Sequence, residues 1–191
     1  MTNHRRLLEF QDQSVGSSLP LVSKAVRLAD VGEYEEALRM LANGNSSSQE
    51  ILNARGVCFM RLGRPADAVR VFRSLVLPSG CIWMKPELPV IYRTNFSTAL
   101  LLAGLPLGVR DTLQEIAEKD HPSVRRLSNA VAQWERRMSW WQYLSWKYGF
   151  PPKLPLTIDF LPGEFTDTTL VSPPTSPETP SAPFPPVQQV A

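Results

Sequence analysis

The sequence predicts an all-α fold built from paired helices, for three reasons. Apolar residues recur at spacings of three and four between residues 17 and 150. No stretch in this range alternates apolar and polar residues for long enough to form a strand. Glycines, prolines and short polar runs divide the range into segments of roughly a dozen residues, which fall into pairs. We therefore predict an array of helix hairpins over residues 17–150.

The three predicted pairs share residue types at the same spacings. A small residue stands seven positions before a turn glycine, and a large apolar residue follows it three positions later. The second helix carries a small apolar residue five positions after the glycine and a Leu or Phe one turn further on. The three sets are Ala25, Leu28, Gly32, Ala37 and Leu41; Gly56, Phe59, Gly63, Ala68 and Phe72; and Ser97, Leu100, Gly104, Val109 and Leu113. Small residues let helices approach closely, and the glycine ends the first helix in a left-handed conformation.

This pattern resembles the tetratricopeptide repeat. The stretch LNARGVCFMRLGRPADAVRVFRSLVL (52–77) carries the family's Leu, Gly, aromatic, Gly, Ala and Phe positions. AVRLADVGEYEEALRML (25–41) carries the turn and the second helix, and RTNFSTALLLAGLPLGVRDTLQEI (93–116) is a degenerate third copy. The resemblance implies three repeats that form a right-handed solenoid of α-hairpins, followed by a long capping helix.

Residues 122–150 are predicted to form that capping helix, which would cover the apolar face of the last repeat. Pro122 suits the first helical turn. Seven apolar residues follow at spacings of three or four: Leu127, Val131, Trp134, Met138, Trp141, Leu144 and Tyr148. Three further aromatic residues, Trp140, Tyr143 and Trp146, lie off this stripe.

Prolines change the character of the chain after residue 150, since eleven of the 18 lie within 151–191. In 151–165, Leu154, Leu156, Ile158 and Phe160 alternate with less apolar residues, which predicts an extended strap docked on an apolar surface. Residues 166–191 have little to bury and are predicted to be a disordered tail, either a linker or a ligand for proline-binding modules. Residues 1–16 are predicted to be a flexible N-terminus.

Catalytic chemistry is not indicated by the sequence. The histidines are His4, near the start, and His121, which is predicted to be a helix-boundary residue. Cys58 is predicted to be a helical core residue and Cys81 a thiol in a turn region. No nucleophile–base pair, phosphate-binding glycine loop or metal-ligand spacing can be assembled. We predict a protein that is not an enzyme, with no catalytic residue, metal, cofactor or small-molecule substrate.

The resemblance implies that the first helices of the repeats line a groove for a peptide of a partner protein. Matching positions place these residues on that face: Val22, Val26 and Ala29; Asn53, Val57, Met60 and Arg61; and Thr94, Thr98 and Leu101. Apolar burial would hold the peptide, while Asn53 and Arg61 would fix its register. Val22 and Val26 stand where carboxylate-clamping members carry Lys and Asn, which disfavours a chaperone-tail clamp. Alternatively, the chain's own segments, such as 1–16 or 78–90, fill the groove.

Two further functions stay open at this point. A small secretion-type chaperone is also built from about three such repeats, as the resemblance implies. The predicted capping helix is basic and rich in tryptophan, because residues 119–153 hold seven Lys or Arg and two acids. It could associate with RNA or an anionic membrane, although the net charge of +2 does not favour either partner for the whole chain. Alternatively, its aromatic residues bury against the third repeat and under the strap, which leaves the arginines solvated or paired with the acidic tail. No secretory signal or membrane span is indicated, so we expect a cytoplasmic protein.

Overall fold

The computed structural model describes residues 19–166, which contain eight helices and no strand, so the all-α prediction is confirmed for this part of the chain. The predicted flexible segment 1–16 and residues 167–191 of the predicted tail lie outside the described residues. The helices are α1 (19–30), α2 (Tyr34–Ala42), α3 (Gln49–Arg61), α4 (Pro65–Val76), α5 (Val90–Leu102), α6 (Pro106–Glu115), α7 (Pro122–Arg136) and α8 (Trp140–Lys147).

The first six helices form three pairs that turn in the same way. Gly32, Gly63 and Gly104 have φ angles of 86°, 70° and 72°, which is the left-handed region predicted for them. After each glycine, the next residue's N–H donates to the carbonyl five residues earlier: Glu33 to Leu28 (2.9 Å), Arg64 to Phe59 (2.9 Å) and Leu105 to Leu100 (3.0 Å). This bond pattern closes the end of the first helix and reverses the chain.

Gly56 lies where the two helices of the second pair, α3 and α4, approach each other closely. An added Cβ at this position would lie 2.4 Å from Cζ of Phe72, which is fully buried on α4. The ring therefore rests directly on the α3 backbone, in the manner that the small residue at this spacing predicts. Helix α3 contacts both α2 and α4, and α5 contacts α3, α4, α6 and α7.

Helix α5 lies at the centre of the fold, since every residue from Ile91 to Leu101 is buried. Its apolar side chains belong to the main core cluster, which extends from Val57 on α3 to Leu127 on α7. A smaller cluster joins α1, α2 and the inner side of α3 around Ala25, Leu41 and Ile51. A helix enclosed on all sides has no solvent face, so its polar residues must be paired inside the protein.

The single long capping helix is a wrong prediction, because the chain leaves the helix after Arg136 and starts α8 at Trp140. Ser139 is the reason. Its backbone is extended, its Oγ accepts from the N–H of Gln142 (3.4 Å), and its own N–H donates to Oε1 of Gln142 (2.9 Å). This reciprocal capping box begins a new helix in the middle of the predicted apolar stripe.

The break changes which aromatic residues are buried. Trp134, before the break, is 3% exposed, in agreement with the stripe. Beyond it, Trp141 and Tyr148 are 69% and 75% exposed, whereas Trp146, predicted to lie off the stripe, is 1% exposed. Trp146 packs edge-on against Trp134 with ring centroids 5.2 Å apart, and its Nε1 donates to Oε1 of Glu135 (2.7 Å). Helix α8 thus packs on the protein through Trp146, and the predicted stripe residues Trp141 and Tyr148 face outward.

The two cysteines should differ in reactivity. Cys58 is fully buried, and this burial raises the pKa of its thiol from 9.0 to about 11, against the opposing charge of Arg61. Cys81 is exposed. Because the thiolate is the nucleophile, we expect one thiol to react with a disulfide reagent in the native protein at about pH 8, and the second only on unfolding. Rapid reaction of both thiols in the native protein would contradict this burial; a Cys81→Ser variant identifies the reacting residue.

Candidate peptide-binding groove

Within the predicted strap (151–165), residues 154–165 cross the helical array as an extended segment and are called the strap from here on. Their side chains alternate: Leu154, Leu156, Ile158 and Phe160 are half-buried, whereas the residues between them are exposed. Leu156, Ile158, Phe160 and Phe165 pack against the main core cluster. The alternation is that of a strand-like segment with one face on an apolar surface.

Two asparagines hold the main chain of the strap. Nδ2 of Asn95 donates to the carbonyl of Glu164 (2.8 Å), and Oδ1 of Asn95 accepts from the N–H of the same residue (3.0 Å). Nδ2 of Asn53 donates to the carbonyls of Glu164 (3.2 Å) and Phe165 (3.0 Å). Nδ2 of Asn95 also donates to Oδ1 of Asn53 (2.8 Å), so the two buried amides form one network across α3 and α5. A carboxamide can pair with both the N–H and the C=O of one residue because it carries both a donor and an acceptor.

Arg61, at the end of α3, holds the preceding residues of the strap. Its Nε donates to the carbonyl of Pro162 (3.2 Å) and a terminal nitrogen donates to the carbonyl of Gly163 (3.0 Å). Its guanidinium carbon lies 4.7 Å from the ring centroid of Phe165. Burial lowers the pKa of Arg61 from its ordinary value, an effect that Tyr34 opposes. The guanidinium remains a cation because its ordinary pKa is far above neutrality.

The floor of the groove lies under Gly163, which has a φ of 77°. An added Cβ at this residue would lie 2.5 Å from Cε of Met60 and 3.0 Å from Cγ2 of Val57. The strap backbone therefore passes directly over the α3 residues Val57 and Met60. Both the left-handed backbone and the close approach favour glycine at this position.

Helix α7 forms the opposite wall and contacts a side chain of the strap. The Ser123 hydroxyl donates to Oε1 of Glu164 (2.8 Å), and Arg126 forms an ion pair with the same oxygen. The Arg126 guanidinium also lies 5.6 Å from the ring centroid of Phe160. Further along α7, Nε1 of Trp134 donates to the carbonyl of Leu154 (3.0 Å). The groove thus binds the Glu164 carboxylate as well as the main chain of the strap.

Among the predicted groove residues, the α3 set meets the strap directly: Asn53 and Arg61 by hydrogen bonds, and Val57 and Met60 beneath Gly163. Phe165 packs against both core clusters, and the smaller one contains Val22 and has Val26 at its margin. Ala29, the third α1 residue, is also buried.

The predicted groove residues on α5 make contacts within the helix and the core, and do not hydrogen-bond the strap. The hydroxyls of Thr94 and Thr98 donate within α5, to the carbonyls of Val90 and Thr94, both at 2.9 Å. Leu101 is buried in the main cluster and lines a cavity of about 490 Å³ together with Leu154 and Leu156. The α5 residue that binds the strap is instead Asn95, one position from the predicted Thr94.

Sequence reasoning missed Asn95, Ser123, Arg126 and Trp134. Thr94 stands ten residues before Gly104, as Asn53 does before Gly63, so alignment on the repeat selects Thr94. The all-round burial of α5 removes the amphipathic pattern that would have shown which side faces the groove. The one available signal was an asparagine within an otherwise apolar helix, since such a residue needs a partner when buried.

The segment that occupies this groove is the strap, and not the 78–90 linker that the alternative prediction named. The linker is instead bound to α6 and α4. The N–H of Met84 donates to Oε2 of Glu115 (2.7 Å), and the N–H of Lys85 donates to the carbonyl of Val76 (2.8 Å). Met84 and Leu88 bury in the main cluster on that side. The other named segment, 1–16, lies outside the described residues.

Within residues 19–166, every buried polar side-chain atom has a hydrogen-bond partner, and the amides of Asn53 and Asn95 find theirs partly in the strap. The same residues contain no cluster of His, Cys, Asp and Glu placed to hold a metal ion. None of the helices in this part of the chain has the length and apolar character needed to cross a membrane. Comparison with family models, curated proteins and solved structures finds no match for the chain.

Proposed function

We propose that this chain is a non-enzymatic protein-interaction scaffold of the tetratricopeptide kind, whose groove binds an extended peptide segment of a partner protein. The observation that carries the proposal is the pairing of the Asn95 carboxamide with both the N–H and the C=O of one strap residue. Contacts to the main chain do not depend on the side chains of the peptide, so a segment of another protein can form them equally well.

The strap serves as a template for the peptide that this groove accepts. The closely approached position 163 requires glycine, and the position after it favours an acid, which Ser123 and Arg126 bind. An aromatic ring at the next position lies beside the Arg61 guanidinium. Before the glycine, apolar residues at every second position bury against the main cluster. The preferred partner segment therefore has alternating apolar residues followed by glycine, an acid and an aromatic residue.

The strap also competes with any such partner, because it is tethered to the array through a short connection after α8. A flexible tether of this length gives an effective concentration on the order of millimolar. A partner peptide at micromolar concentration would therefore displace the strap poorly unless the strap is weakened or the partner forms additional contacts.

A labelled peptide of residues 152–166 tests this proposal by fluorescence anisotropy on the full chain. We expect weak binding to the wild type and at least about tenfold tighter binding to an Ile158→Asp/Phe160→Asp variant, because charges on the buried face loosen the strap. Thr157→Asp is the matched control, since Thr157 is the exposed neighbour of Ile158. This control should bind the peptide as weakly as the wild type.

Two further arms show where the peptide binds. Adding Asn95→Leu to the loosened variant should abolish capture of the peptide, and a peptide with alanine in place of Gly163 should not bind. Circular dichroism confirms that the loosened variant is folded, both with and without Asn95→Leu. A folded, loosened variant that binds the peptide no better than the wild type would exclude the groove as a peptide site.

A further inference from the structure

An unusual number of aromatic side chains is exposed on and just after α8. Trp140, Trp141, Tyr148 and Phe150 are 65%, 69%, 75% and 71% exposed, and Tyr143 is 40% exposed. Such a concentration of exposed apolar surface marks an interaction site on a folded protein.

The helix geometry gathers three of these residues, Trp140, Trp141 and Tyr148, on one side. Successive residues of an α-helix are rotated by about 100°, which places Trp140, Trp141, Leu144 and Tyr148 opposite the buried Trp146. The rings of Trp140 and Trp141 contact each other, with centroids 4.2 Å apart. Trp146 anchors the other side through Trp134 and Glu135, and the Arg110 guanidinium lies 5.1 Å from its ring centroid. Helix α8 is therefore held in place with an apolar face directed outward.

The charged residues in the chain segment that carries this face are all of one sign. Residues 136–153 contain four basic residues, Arg136, Arg137, Lys147 and Lys153, and no acid. All four are exposed, and the ion pairs within residues 19–166 involve other basic side chains. The neighbouring acid, Glu135, accepts the hydrogen bond of Trp146. A partner for this surface must combine apolar character with negative charge.

We propose that α8, with Tyr148 and Phe150, is a docking site for the surface of an anionic phospholipid bilayer. Trp and Tyr favour the membrane–water interface, where their rings bury while their polar groups stay hydrated. Leu144 at the centre of the face would enter the acyl boundary, and the four basic residues would meet the lipid phosphates.

Two other occupants fit the surface less well. A second copy of the chain would bring four basic residues against four others, which opposes self-association through this face. A single-stranded RNA needs a basic groove lined with rings on which its bases stack. Here the rings flank Leu144, which offers no stacking surface, on the side of a helix and not in a groove.

Vesicle co-sedimentation of the full-length protein tests the proposal. We expect binding to phosphatidylcholine vesicles that contain about 30% phosphatidylserine, and much weaker binding to pure phosphatidylcholine. Trp141→Ser/Tyr148→Ser should lower the partition coefficient by at least about tenfold, since both exposed rings would leave the interface. Arg136→Ser/Lys147→Ser should lower it by about 25-fold, or roughly fivefold for each charge near the surface.

Trp83→Ser is the matched control, because Trp83 is 67% exposed but lies in the loop between α4 and α5. Its partition coefficient should equal that of the wild type, and circular dichroism should show all variants folded. Absence of wild-type binding to the anionic vesicles overturns the proposal, as does an equal loss in the Trp83→Ser control. Binding of polyuridine, or a dimer in size-exclusion chromatography, that the same variants abolish while vesicles remain unbound would assign the face to RNA or to a second copy.

Discussion

Replacing Asn95 with leucine should lower the free energy of unfolding by about 3 kcal/mol, because it leaves several buried polar groups without partners. The Asn95 side chain is 3% exposed and bonds Asn53 and both main-chain groups of Glu164. Leucine of similar volume can replace none of these bonds. Urea denaturation measures the loss, and hydrogen exchange of the Glu164 amide, which donates to Asn95, should accelerate in the variant.

Two variants separate the lost hydrogen bonds from other effects. Asn129→Leu makes the same replacement on the exposed side of α7 and should change stability by no more than about 0.5 kcal/mol. Asn95→Asp keeps the shape but places a carboxylate where Nδ2 donated, so it should destabilise despite its fit. An Asn95→Leu protein as stable as the Asn129→Leu control would mean that the Asn95 hydrogen bonds do not contribute to holding the strap.

The second large effect is expected for Gly56→Ala, which should destabilise the protein by about 2 kcal/mol although alanine is the better helix former. The added methyl group would overlap the Phe72 ring, which is fully buried. Thermal and urea unfolding give the change directly. The sign is informative, since the same replacement at an uncrowded helix position stabilises by up to about 1 kcal/mol.

Gly108→Ala on α6 is the matched control. Its added Cβ would lie 3.3 Å from Cδ1 of Leu100, the flexible end of a side chain, so a small change of either sign is expected. Phe72→Leu should rescue Gly56→Ala in part, because a smaller side chain leaves room for the methyl group. If the double variant is no more stable than the sum of the single changes predicts, Phe72 is not the obstacle at Gly56.

The helices and their turns follow from local physics and could be read from the chain. Spacings of three and four select a helical face, and a glycine at each turn provides the left-handed conformation that ends the helix. Gly63 and Gly104 illustrate this, since they adopt the same conformation in copies with few other identities. The prediction of a single capping helix was wrong for a reason that is also local. Ser139 and Gln142 form a capping box, which the apolar periodicity does not reveal.

The candidate groove was predicted only in part. Asn53 and Arg61 were identified because a repeat alignment transfers positions from helix to helix, and both bind the strap. Asn95 and Arg126 escaped, since the first lies on a helix without an exposed face and the second on a helix outside the repeats. No periodic pattern in the sequence connects either residue to the strap.

The sequence by itself determined the all-helical class, the positions of the three turns and the alternating face of residues 154–160, because each depends on neighbours along the chain. Only the tertiary structure decided which segment fills the groove and which face of α8 is exposed. Asn53 and Glu164 are separated by 111 positions, and such a pairing depends on how the helices pack. The orientation of α8 likewise follows from the burial of Trp146 between Trp134 and Arg110, contacts that no local pattern encodes.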